Sequence, residues 1–288
     1  MKMNPSGNSW RKAALVLSLL LICLFLPLHG ATIEKRDVYS DAMKKNIPVN
    51  VILPDSSKTD ATKRYPVVYL LHGAGGNYRN WSVDARDLLK EVDKNDFIVV
   101  CPNAENSWYI DSPVDDSCRY STFCGKELIA WIDNHYRTIP NRENRAVCGL
   151  SMGGYGAMYL AINHLDTFSI AVSLSGGLDI RPYNSWNLPN ILGDRKEHPE
   201  NWEKYTIINQ IDKLKNRDLA ISIDCGTEDF FLEVNRAARK KLLERKIEHD
   251  YCERPGNHSW DYWNNAFPYA AIFMNKHFTR SLDSSENR

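Results

Sequence analysis

Brief apolar runs separated by stretches of helical spacing set the rhythm of this chain. Val67 to Leu71, Phe97 to Cys101, Ala146 to Leu150, Ile170 to Leu174, Leu219 to Asp224 and Asp250 to Glu253 are short runs rich in β-branched or apolar residues, the pattern of strands covered on both faces. Between them, Asp84 to Val92, Phe123 to Tyr136, Gly153 to His164, Glu233 to Lys246 and Tyr262 to His277 carry helical patterns. Ahead of the first run, Asp37 to Tyr39 and Val49 to Leu53 read as an opening hairpin. Such alternation predicts an α/β class, with a mostly parallel central sheet and helices on both faces.

The rhythm breaks once, between Gly176 and Asn216, where Pro182, Pro189, Pro199, Trp186 and Trp202 interrupt any single period. A structureless loop of that length is uncommon inside a domain. Residues 177–216 therefore read either as a folded insertion or lid, or as a packed surface excursion.

The amino-terminal residues carry a different pattern. Lys2, Arg11 and Lys12 precede an apolar run from Ala13 to Leu26, broken only by Ser18 and ending at Pro27 before the small residues Gly30 and Ala31. That run is short for a bilayer span and has the layout of a signal peptide over residues 1–31. The expectation is a secreted or periplasmic protein without stable membrane insertion of the mature chain, residues 32–288 forming a single domain of about 255 residues.

Charge excludes one class of function. Lys plus Arg and Asp plus Glu are 36 each, so no net field recruits nucleic acid. Of the 7 cysteines, Cys23 would leave with the signal, while Cys101, Cys118, Cys124, Cys148, Cys225 and Cys252 either pair in an oxidising compartment or serve as buried thiols. Their spacings suggest no metal, and nothing in the chain calls for a cofactor.

The chemistry-bearing motif is R-A-V-C-G-L-S-M-G-G-Y-G-A-M, which places Gly149, Ser151 and Gly153 as G-x-S-x-G. By chance alone such a pattern arises in about one chain in ten of this length, so context must carry the argument. A strand-like run comes immediately before and a helical pattern immediately after, the strand-turn-helix setting in which a serine hydroxyl projects above a sheet. A serine needs a base to take its proton, and that base needs an acid to hold its tautomer. Both follow in order. Asp229 lies in C-G-T-E-D-F after one strand-like run, and His258 in P-G-N-H-S-W after the last. Glu228 and Asp224 are competing carboxylates. Of the 8 histidines, only His258 has the required order and loop setting. Oxyanion donors are expected from the backbone N–H of Met152, directly after the serine, and of Ala74 in the glycine-rich loop L-L-H-G-A-G-G-N-Y.

These segments, L-L-H-G-A-G-G-N-Y-x-N-W, G-L-S-M-G-G-Y-G-A, C-G-T-E-D-F and G-N-H-S-W-D-Y-W, together resemble the putative-esterase family of the α/β-hydrolase fold. That family includes esterase D, tributyrin esterases, feruloyl and acetyl-xylan esterases of carbohydrate esterase family one, and mycolyltransferases. The resemblance spans about Val38 to Phe278. It implies Ser151, Asp229 and His258 as a triad, with Met152 and Ala74 donating to the oxyanion. It also suggests Trp108 and Tyr109 as lining for an acyl pocket and Trp260 as a flank of the histidine loop, with core packing as the other reading of all three aromatics. The implied activity is serine carboxylic ester hydrolysis on short acyl or hydroxycinnamoyl esters, acetyl and feruloyl among them, with plant polysaccharide as the expected carrier. Acyl transfer from the same acyl-serine, S-formylglutathione-type thioester hydrolysis and a catalytically inactive carbohydrate-binding relative are the alternatives. Oligomeric state is not legible.

Overall fold

Eight strands form one sheet in the order β1-β2-β4-β3-β5-β6-β7-β8, seen in a computed structural model that describes residues 30–286. The signal-peptide expectation falls almost wholly outside the described residues. The strands are β1 (Thr32–Ser40), β2 (Lys45–Leu53), β3 (Val67–Leu71), β4 (Ile98–Pro102), β5 (Arg145–Leu150), β6 (Ile170–Leu174), β7 (Ala220–Gly226) and β8 (Asp250–Arg254). β1 pairs with β2, and β2 with β4, antiparallel. All later pairings are parallel.

Every residue of β3, β4, β5 and β6 is buried, as a parallel sheet with two covered faces requires. The two faces separate along each strand with period two. Val67, Tyr69 and Leu71 join one core, which receives α2 (Leu128–His135), α3 (Met152–Asn163) and α4 (Leu232–Glu244). Val68 and Leu70 join the other, which receives α1 (Leu88–Asn95) and α5 (Trp260–Glu286). Among the described residues no helix is long and apolar enough to cross a membrane.

Several boundaries differ from the sequence expectation. β1 runs from Thr32 rather than Asp37, because its nine-residue register with β2 is held by backbone bonds, while most of its side chains are solvent-facing and carry no apolar signal. Charged residues on such an edge also discourage further strand pairing. The helix expected over Asp84 to Val92 divides into Asn80–Asp84 and Leu88–Asn95. A π-helical turn, Phe123–Glu127, precedes α2. The 177–216 segment is folded: it contains helices Leu188–Leu192, Pro199–Tyr205 and Ile207–Gln210. It buries Leu178, Leu188, Trp202 and Ile207 in the core on the α3 side, where the Tyr155 hydroxyl donates to the Tyr205 carbonyl at 2.6 Å.

All six described cysteines are unpaired, and all but Cys252 are buried. Burial pushes the thiols of Cys101, Cys118, Cys124, Cys148 and Cys225 up, that of Cys118 to about 11.

Candidate active site

The loops after β5, β7 and β8 bring their side chains together beyond the carboxyl ends of the strands, the position where open α/β sheets assemble ligands. β5 ends at Leu150, and Ser151 follows at φ 57° and ψ −119°, a strained conformation for a residue with a Cβ. Two glycines make the turn sterically feasible. A Cβ on Gly149 would lie 2.4 Å from the Gly153 carbonyl oxygen, and one on Gly153 would lie 2.4 Å from that of Leu71. Both contacts are with backbone, which cannot swing aside. The elbow is anchored by the Ser151 N–H donating to the Leu174 carbonyl at 2.9 Å.

Ser151, His258 and Asp229 are brought together. The Ser151 Oγ lies 2.8 Å from His258 Nε2, and His258 Nδ1 lies 2.8 Å from Asp229 Oδ2. Asp229 is held in turn, its Oδ1 accepting the Phe231 N–H at 2.8 Å. Its carboxylate is wholly buried, whereas the His258 side chain keeps 15% exposure. The competing carboxylates are elsewhere. Glu228 is exposed, and Asp224 is committed to Arg254 at 2.8 Å and to the hydroxyl of Tyr262.

The glycine-rich loop after β3 is tied down through its carbonyls. Trp81 Nε1 donates to Leu71 at 2.9 Å, the Tyr109 hydroxyl to the carbonyl of His72 at 2.9 Å, and the Gly76 N–H to Gly73 at 3.1 Å. His72 is the centre of this arrangement. Its Nε2 accepts the Ala104 N–H at 2.9 Å, which leaves the proton on Nδ1 to donate to the Gly73 carbonyl at 2.8 Å. Of the loop's N–H groups, that of Gly75 is taken up by Asn106 Oδ1 at 2.7 Å and that of Gly76 by the Gly73 carbonyl, and a Cβ on Gly73 would lie 3.3 Å from the Ser151 Cβ. Met152 is the first residue of α3, and its N–H has no acceptor within the helix.

Burial holds the His72 pKa down, from 6.5 to about 4. The unfolded chain therefore binds a proton on His72 at pH values where the folded loop refuses it. This contribution to stability is intact above about pH 6.5 and is lost as pH falls toward 4, by about 3 kcal/mol in all. Urea unfolding at about pH 7 and about pH 4 should show wild type losing about 3 kcal/mol more than His72→Asn. Equal losses would contradict this account.

The three aromatics singled out from the sequence have different surroundings. Trp108 and Tyr109 are 1% and 0% exposed, so both belong to the core. Trp108 packs edge-on against Tyr155 with centroids 5.1 Å apart, and Tyr109 props the loop through its bond to His72. Both have positive φ, 54° and 57°, a strain that persists because these contacts over-determine it. Trp260 packs edge-on against Trp81 at 5.3 Å and Trp263 at 5.5 Å, and Trp263 touches His258 at 5.0 Å. Not anticipated from sequence were Phe230, 4.3 Å from the His258 ring, and Trp186 from the 177–216 segment, nearly parallel to Phe230 at 5.7 Å. The doubled Phe in C-G-T-E-D-F-F was the available signal for the first.

A serine, an imidazole and a buried carboxylate in hydrogen-bonded series can carry out acyl transfer through an acyl-serine. Comparison with known proteins places the chain among esterases. The family model described as Putative esterase matches residues 40–274. An acetyl esterase of Caldicellulosiruptor saccharolyticus is 28% identical over 269 residues, covering 85% of this chain and 98% of that protein. An endo-1,4-beta-xylanase/feruloyl esterase of Xylanibacter ruminicola is 30% identical over 160 residues, covering 52% of this chain and 22% of that protein. Among solved structures, a ferulic acid esterase superposes with a TM-score of 0.75 at 27% identity, covering 86% of this chain and 99% of that one. The chain belongs to the putative-esterase family and is an ester hydrolase of the α/β-hydrolase fold.

Proposed function

We propose that this esterase cleaves carboxylic esters through an acyl-serine, with Ser151 as nucleophile, His258 as general base and then acid, and Asp229 orienting His258. The supporting observation is the hydrogen-bonded series Ser151–His258–Asp229, at 2.8 Å for each link. Ser151 Oγ attacks the ester carbonyl as its proton passes to His258 Nε2. The oxyanion accepts hydrogen bonds from the N–H groups of Met152 and Ala74. His258 then protonates the departing alcohol, and a water molecule, activated by the same nitrogen, releases the acid.

The substrates we assign are short acyl or hydroxycinnamoyl esters, acetyl and feruloyl among them, carried by a polysaccharide outside the cell. The acetyl esterase and feruloyl esterase relatives support this choice. It also fits the reading of residues 1–31 as an export signal ahead of a single domain at 32–288. Tyr109 acts from below, by supporting the loop that carries Ala74, Trp108 holds the Trp186 carbonyl, and Trp260 supports the His258 loop through Trp263.

A fluorophosphonate probe tests the nucleophile. Intact-mass and peptide analysis should find one adduct, on Ser151, abolished by prior denaturation. Labelling at another serine, or none in active protein, contradicts the assignment.

A further inference from the structure

The last proton transfer of acylation fixes where the alcohol half of the substrate must lie. Its oxygen leaves with the proton from His258 Nε2, so it comes within hydrogen-bond reach of that nitrogen, and the remainder of the alcohol projects past the imidazole. The groups flanking the imidazole are therefore the groups that meet it. One of them is Phe230, 4.3 Å away between ring centroids and tilted by 39°. Beyond it lies Trp186, its ring within 15° of parallel to Phe230.

Both rings leave a large apolar surface in solvent, with Phe230 52% and Trp186 37% exposed. Neither is loosely placed. Phe230 follows the anchored Asp229, and its carbonyl accepts the Tyr183 hydroxyl at 3.3 Å. The Trp186 carbonyl accepts Trp108 Nε1–H at 2.9 Å. Trp186 and Asn187 both have positive φ, 52° and 70°, so the segment bears strain to present the indole there. Exposed apolar surface held rigidly beside a reactive group marks a binding surface.

Its shape and surroundings select the occupant. An alkyl chain gains most from an enclosing groove, whereas these rings are open to solvent and neighboured by the exposed polar residues Asn184 and Ser185. A sugar ring suits such a place: one face of axial C–H bonds lies on an aromatic plane, and its hydroxyl edge stays hydrated. We infer that Phe230 and Trp186 form a stacking subsite for the sugar ring of the alcohol half of the ester. This deepens, and rests on, the reading of Ser151 as an ester-cleaving nucleophile.

The test holds the acyl group constant and changes the alcohol. Ethyl acetate and an acetylated xylo-oligosaccharide are compared in wild type, F230L, W186L and the double variant, where leucine keeps apolar bulk and removes the flat face. A ratio of kcat/KM, sugar ester over ethyl ester, that falls about tenfold in the double variant is the expected result, since each aromatic stacking contact contributes modestly. An unchanged ratio overturns the subsite. So does a loss that follows the acyl group when ethyl ferulate replaces ethyl acetate, which would put the rings on the acyl side. If the leucine variants unfold, F230Y and W186F, which keep flat rings, must fold and retain the wild-type ratio, and its loss there overturns the subsite too. Wild type that cleaves ethyl acetate without preferring the sugar ester sinks this inference alone. Wild type that cleaves neither sinks the esterase reading with it.

Discussion

Ser151→Ala is expected to lower kcat on a simple acetyl ester by about 10⁴-fold or more, with little change in KM or thermal stability. Removing the hydroxyl removes the attacking atom, while the imidazole, its carboxylate partner and the backbone donors stay in place. Residual turnover would come from those donors polarising the carbonyl toward water, the background that persists in serine hydrolases without a nucleophile. A change in KM comparable to that in kcat would mean that Ser151 holds substrate rather than attacks it. A rate within tenfold of wild type would remove it from the mechanism. Circular dichroism separates these outcomes from misfolding.

Asp229→Asn should reduce kcat by about 10⁴-fold while Glu228→Gln leaves it near wild type. The amide has similar size, but its NH₂ can take the place of the acceptor that His258 Nδ1–H requires. The imidazole then presents a protonated Nε2 to Ser151 and cannot accept its proton. Because the Asp229 carboxylate also accepts the Phe231 N–H, Asp229→Ala would disturb the loop as well, and the asparagine variant is the cleaner comparison. Glu228 is one residue away but solvent-facing, so the contrast isolates direction rather than charge. Similar losses in both variants would point to a long-range field effect in place of a specific bond.

The parts legible in sequence were those governed by local sterics or two-sided burial. β3 and β6 match their apolar runs because both faces of those strands are covered, and the glycines around Ser151 are dictated by the approach of Gly153 to Leu71 within a few residues of chain or one strand away. β1 was read short because an edge strand bonded mainly through its backbone needs few apolar side chains. The 177–216 segment gave no single period because its helices are only a turn or two long and its buried residues answer to α3. Tyr109 illustrates a different loss. Sequence could place an aromatic near the nucleophile, but whether the ring faced substrate or lay beneath a loop depended on the His72 carbonyl. The pairing of Phe230 with Trp186 was hidden for the same reason, since it joins the acid loop to a segment more than forty residues earlier.

His72 shows how much of a reactive crevice is built from residues that never meet substrate. A histidine ahead of a glycine-rich loop invites a proton-transfer reading, yet both of its nitrogens are spent on backbone. Its use is geometric: a ring that accepts from one segment and donates to another ties the Gly73 carbonyl to the Ala104 backbone.

The unpaired cysteines have a consequence for what holds the sheet together. Cys101, Cys118, Cys124, Cys148, Cys225 and Cys252 form no disulfide in the folded domain. Among the described residues the sheet is thus closed by packing and backbone bonds alone, and a thiol reductant is expected to leave the melting temperature of the folded domain unchanged.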